Sequence, residues 1–112
     1  MKIDERSVGD VKILDITGRI TIGQGDELLK DKIHSLVHQK HTKILVNLAG
    51  VDYVDSTGLG ELVGAYTTVA RAGGTMKLLN VTRRMHDLLA ITKLLTVFET
   101  FDSEQEGIKS FG

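Results

Sequence analysis

The sequence predicts an α/β fold, a small mixed β-sheet flanked by about four helices in the order ββαβαβαβα. Three observations carry this. The chain opens on two β-rich runs separated by a turn, "KIDERS" and "VKILDITGRI" around "VGD". From Gly23 onward the apolar period lengthens to three and four residues, then alternates with short apolar runs. The 112 residues with 41% apolar content suit one core and leave little room for a second domain, so a single domain over 1–112 is expected.

The opening pair reads as a hairpin. In "VKILDITG" the apolar phase changes between Ile13 and Leu14, which calls for a bulge or for two covered faces. Next, Leu29, Ile33, Leu36 and Lys40 share a helical stripe that Val37 widens. An acidic start, "GDELL", and a basic end, "HQKH", suit the helix dipole. The first helix is placed from about Asp26 to about Gln39. "TKILVNL" has Ile44, Leu45 and Val46 in succession, as in a strand covered on both faces.

Leu59, Leu62, Val63, Tyr66, Val69 and Ala70 define a second helix from about Thr57, with Ser56 at or beside its N-cap. A buried strand follows from Thr75 to Asn80. Thr82 is placed as the cap of a third helix, in which Met85, Leu88, Leu89 and Thr92 share a face. "TVFETF" is a short strand. Asp102 stands three residues before Gln105, a capping-box spacing that opens a terminal helix. The crossover connections should be right-handed.

Composition removes several functions. The formal net charge is −1, so no basic excess exists to hold a phosphate backbone, and no nucleic acid is expected as partner. There is no cysteine, which rules out disulfides and thiolate metal sites. The first residues, "MKIDERSVGD", have no apolar core of a secretory signal, and no apolar run reaches membrane length, so a soluble cytoplasmic protein with no membrane partner is expected. Proline is absent, and glycines do the punctuating.

The chemistry concentrates in "GVDYVDSTGLGELVGAY", residues 50–66. Ser56 has three readings. It can cap the helix, accepting a bond from a first-turn N–H. It can act as a nucleophile, but that needs a base, and none of His34, His38, His41 and His86 lies in a nucleophile signature. It can be modified: a phosphate adds about −1.5 to −2 charges, which a helix N-terminus tolerates. "STGLGELVG" lacks the lysine and spacing of a phosphate-binding loop, and Asp52 and Asp55 are not a D-x-D pair. Gly60 and Gly64 lie four apart, either to let the helix pack closely or to leave a shallow face for a partner. His34 and His38, with His41 beyond, have a spacing that can bind zinc, but no third ligand is evident, so no metal is assigned and no cofactor is called for. Arg83 and Arg84 open the third helix, an odd place for cations, and are read as ordinary solvated charge in preference to a face for an acidic partner patch. Tyr66 is placed in the core, and Tyr53 in a loop.

"DYVDSTGLGELVG", with "KILVNLAGV" before it and "ARAGGTMKLLNVTRRMHDLLAITKLLTVF" after it, resembles the STAS domain of bacterial anti-sigma factor antagonists. The resemblance runs from "LDITGRI" to "EQEGI", and its D-S-[ST]-G-L-G core is highly specific. It implies the STAS fold and no catalytic residue. It implies that Ser56, with Thr57 as alternative acceptor, is phosphorylated by a serine kinase that is also the anti-sigma factor. The unphosphorylated domain would bind that kinase and free the sigma factor, and a PP2C-type serine phosphatase would reset it. Asp55, Ser56, Thr57, Gly58, Leu59 and Gly60 are the implied partner-binding residues. Arg19 and Thr21 join them, because they occupy the acidic positions of a "TGELD"-like turn. A STAS scaffold in another partner switch or a stressosome-like assembly is the alternative.

Overall fold

A computed structural model describes residues 1–21 and 24–112, apart from the side chains of 24–27. The acidic start expected for the first helix, Asp26 and Glu27, lies outside the described side chains. Two strands open the chain, β1 (Lys2–Val8) and β2 (Val11–Ile20), joined by Gly9 and Asp10, with Val8 paired to Val11. Gly9 takes a φ of 61°, the left-handed region that a two-residue hairpin turn requires. There follow α1 (Gln24–His38), β3 (Lys43–Val54), α2 (Ser56–Arg71), β4 (Thr75–Leu79), α3 (Arg83–Ile91), β5 (Thr100–Phe101) and α4 (Glu104–Lys109).

The strands lie in sequence order in one five-stranded sheet. β1 is antiparallel to β2, and β2 to β5 run parallel. Parallel neighbours need crossovers, and α1, α2 and α3 supply them. The sheet is mixed and carries four helices, in the predicted order ββαβαβαβα.

The consecutive apolar residues separate onto two faces. Leu14, Ile16, Ile44, Val46 and Leu48 join the helices in one core, with Leu29 and Ile33 of α1, Leu59 and Leu62 of α2, and Met85 and Leu89 of α3. Val11, Ile13, Leu45 and Leu79 face the other way, beneath Phe101, Ile108 and Phe111. The phase change at Ile13 and Leu14 is therefore a strand covered on both faces. The register shifts of β2 against β3 come later, between Asp15 and Thr17 and between Gly18 and Arg19.

Several boundaries differ from the sequence reading. β3 continues through Val54, so Tyr53 is a strand residue rather than a loop residue. α1 stops at His38, and Lys40, at φ 66°, turns out of the helix instead of extending its stripe. Thr92 is the C-cap of α3 and is exposed, not part of its apolar face. Of "TVFETF" only Thr100 and Phe101 form a strand. Residues 95–97 form a turn that drops Phe98 into the core, edge-on to Tyr66 at 5.3 Å between ring centroids. Ser103, not Asp102, caps α4, its side chain accepting from the Glu106 N–H at 3.3 Å. Among the described residues no helix is long and apolar enough to cross a membrane.

Candidate functional site

The site lies where β2 and β3 end and α2 begins. Asp55 follows β3 in extended backbone (φ −108°, ψ 179°), and its Oδ1 accepts from the Gly58 N–H at 2.7 Å. Asp55 is thus the N-cap, and Ser56 is the first helical residue. Ser56 thus stands beside the N-cap, as placed from the sequence, and of its three readings the capping one is set aside: the carboxylate one residue earlier already satisfies the first-turn donor that a capping serine would take. Ser56 and Thr57 are both exposed, and neither hydroxyl has a hydrogen-bond partner among the described residues. Among the described residues no histidine is hydrogen-bonded to Ser56.

Gly58 explains how the corner stays tight. A Cβ at this position would stand 1.7 Å from the carbonyl oxygen of Ile20, so only glycine lets α2 start directly against the end of β2. Leu59 is 2% exposed and anchors the first turn in the core. Gly58 and Leu59 therefore shape the corner from inside, whereas Ser56, Thr57 and Gly60 present its surface.

Gly60 and Gly64 do not serve close packing. A Cβ at either would meet nothing within 4 Å among the described residues. They open a groove of about 280 Å³ between α1 and α2, bordered by Lys30, Ile33, His34 and Glu61. Both positions therefore leave an open face rather than a close-packed one. His34 lies on this groove. No cluster of three or more potential metal ligands occurs among the described residues.

Register brings Arg19 of β2 opposite Tyr53 of β3. The Arg19 guanidinium carbon lies 4.6 Å from the Tyr53 ring centroid, and that of Arg84 on α3 lies 5.3 Å from it. The aromatic ring thus joins the end of β2 to the start of α3, an arrangement worth about 0.5–1 kcal/mol per contact at an exposed site. Arg19 is exposed and Thr21 half-buried beside the corner. Sequence reading flagged Arg19, Arg83, Arg84 and Tyr53 separately and did not bring them together. Pairing Tyr53 with Arg19 needs both the strand assignment of Tyr53 and the register of β2 on β3.

Comparison with known proteins agrees with this geometry. The family model of the STAS domain matches residues 2–107. The chain is 30% identical over 105 residues to the anti-sigma-B factor antagonist of Bacillus subtilis, covering 94% of each. Its fold superposes on the Thermotoga maritima protein TM1081 with a TM-score of 0.88 at 23% identity, covering 96% of this chain and 92% of that one. The Bacillus cell fate determinant SpoIIAA, in its phosphorylated form, gives 0.78 at 20% identity over 99% of this chain and all of the other. The chain belongs to the STAS domain family of anti-sigma factor antagonists.

Proposed function

We propose that this chain is a phosphorylation-switched anti-sigma factor antagonist, a single domain over 1–112 that acts in the cytoplasm without a cofactor. Unphosphorylated, it binds a serine kinase that is also an anti-sigma factor, and the sigma factor is released. Phosphorylation of Ser56, with Thr57 as alternative acceptor, ends that binding, and a PP2C-type phosphatase restores it.

The observation that carries this reading is the division of labour at the corner. Asp55 performs the capping, and the Ser56 hydroxyl is left exposed with no structural task. A phosphate there would sit at the positive end of α2, so the fold would persist. The same phosphate, buried unpaired against a docked protein, would cost several kcal/mol. A hundredfold loss of affinity needs only about 2.7 kcal/mol. A chemical change without a shape change is therefore sufficient.

The test is a pull-down with wild-type, Ser56→Ala and Ser56→Asp baits, the partner identified by mass, followed by incubation of that partner with the chain and ATP. Ser56→Ala should bind constitutively and take up no phosphate. Ser56→Asp should bind at least about tenfold more weakly, roughly 1.4 kcal/mol. Stoichiometric phosphorylation of Ser56→Ala at one site would move the assignment to Thr57. Equal binding by phosphorylated and unphosphorylated chain would overturn the switch. Arg19 and Thr21, at positions acidic in a "TGELD"-like turn, favour a second reading in which the same switch serves a target other than a sigma factor. The identity of the captured partner separates the two.

A further inference from the structure

A groove of about 520 Å³ runs between the end of β3 and α3, lined by Val54, Arg83, Arg84, Asp87, Leu88 and Ile91. Its apolar lip is open: Ile91 is 79% exposed, the most exposed large apolar side chain among the described residues. Its other rim is cationic. Arg83, Arg84 and the neighbouring Arg19 form no ion pair among the described residues. Arg83 and Arg84 also occupy the first turn of α3, which holds no acidic residue. Free N–H groups make that end of a helix positive, so two cations there work against the helix that carries them. An anionic partner would neutralise both the arginines and the helix end. The groove is continuous with the site above, since Val54 directly precedes Asp55 and Ser56.

We propose that this groove is a second docking surface, and that its occupant is an acidic segment of a partner protein carrying an apolar anchor. The carboxylates of the segment would meet Arg19, Arg83 and Arg84. A leucine-sized side chain would rest on Val54, Leu88 and Ile91. Asp87, the only acid among the described lining residues, orients the segment with its charges toward the arginines. The inference extends the Ser56 reading to the chemistry of the partner and rests on it only for equating that partner with the kinase.

The test uses the full unmodified chain, isotope-labelled for NMR, and three synthetic 16-residue peptides: one with two leucines flanked by four glutamates, one with those glutamates replaced by lysines, and one with the leucines replaced by serines. The first peptide should move the amide signals of Arg19, Tyr53, Arg84 and Ile91 saturably, and more weakly as salt rises. The other two should bind at least tenfold more weakly. Arg83→Glu and Ile91→Ser should each weaken the first peptide about tenfold or more. Arg83→Glu should do so without lowering the melting temperature, because an acid suits that helix end. Equal binding of the lysine peptide, or unchanged affinity in Ile91→Ser, would overturn the proposal. So would the absence of shifts at these four residues, or capture by phosphatidylglycerol vesicles through the same arginines without peptide binding. The titration involves no phosphorylation, so it fails separately from the Ser56 assignment.

Discussion

On the face of the sheet covered by α4, Arg6 of β1 reaches two carboxylates, Asp15 on β2 and Glu104 on α4. At the carboxyl ends of β2 and β3, Arg19, Arg83 and Arg84 reach no carboxylate among the described residues, and two of them rest on one tyrosine ring. The first region extends into a polar ladder. Asn47 of β3 donates to Asp15 at 2.8 Å, and Asn80, just beyond β4, donates to Asn47 at 3.1 Å. The second region leaves its hydroxyls, cations and Ile91 to solvent. The same residue types are thus paired with one another at one place and turned to solvent at the other, and this contrast separates scaffold from the proposed recognition surface better than burial alone.

The sharpest way to break the contrast lies within one turn of α2. Gly58→Ala would drive a methyl group into the Ile20 carbonyl, which is backbone and cannot rotate away. The loss should reach or exceed the upper end of the ~1–3 kcal/mol typical of overpacking. Gly60→Ala, two residues on, meets open space and should stabilise the helix by up to ~1 kcal/mol. Urea denaturation of the two variants measures both. Equal effects would mean that the corner is not as tight as described.

Lys77 sharpens the scaffold side. It is 7% exposed, and its Nζ donates to the carbonyl oxygen and the Oγ of Ser110, each at 3.0 Å, and pairs with Glu99 at 3.0 Å. The Phe111 ring centroid lies 4.7 Å away. This lysine ties the C-terminal segment to the second face of the sheet. Lys77→Met keeps the apolar stem and removes the charge-assisted bonds, so a loss of about 1.5–3 kcal/mol is expected. Hydrogen exchange of residues 104–109 should accelerate more than that of α2. Uniform acceleration would make Lys77 a general core residue instead of a tether.

Much of this was legible in the sequence, for reasons that differ by element. The strands and helices announce themselves because burial imposes a period, as in Ile44–Leu45–Val46 and in Leu59–Leu62–Val69. The cap of α2 was legible only to within one residue, Ser56 at or beside it, because Asp55 and Ser56 are equally good cap residues in adjacent positions, and local chemistry alone does not choose between them. The corner decided it: Gly58 must lie against Ile20, and this fixes which residue ends the strand. The Arg19–Tyr53–Arg84 stack was not legible because it needs the β2–β3 register, which depends on two irregularities inside β2. The Asp15–Asn47–Asn80 ladder was hidden for the same reason. Each residue reads as an ordinary polar residue until the strands are set side by side.

That ladder gives the smallest expected effect and a pH at which to find it. The hydrogen bonds from Arg6 hold the Asp15 carboxyl below the usual aspartate range, with partial burial opposing them and Asn47 adding to them. Arg6 is raised further above an already high value by the same pair and by Glu104, so it stays charged throughout. A carboxyl with a folded-state pKa lower than its unfolded one contributes stability that is fully present above the unfolded value, about 3.9. That contribution fades as pH falls through the folded value. Stability should therefore be flat with respect to this group near neutrality and decline in the acid range below about pH 4. Because the pair is partly open to solvent, the contribution should be about 1 kcal/mol or less. Asp15→Asn should lower stability by that amount at pH 7 and flatten the acid decline, as measured by urea titrations from pH 7 downward. An unaltered acid slope in Asp15→Asn would mean that the ladder is held by its amides, with the arginine as a bystander.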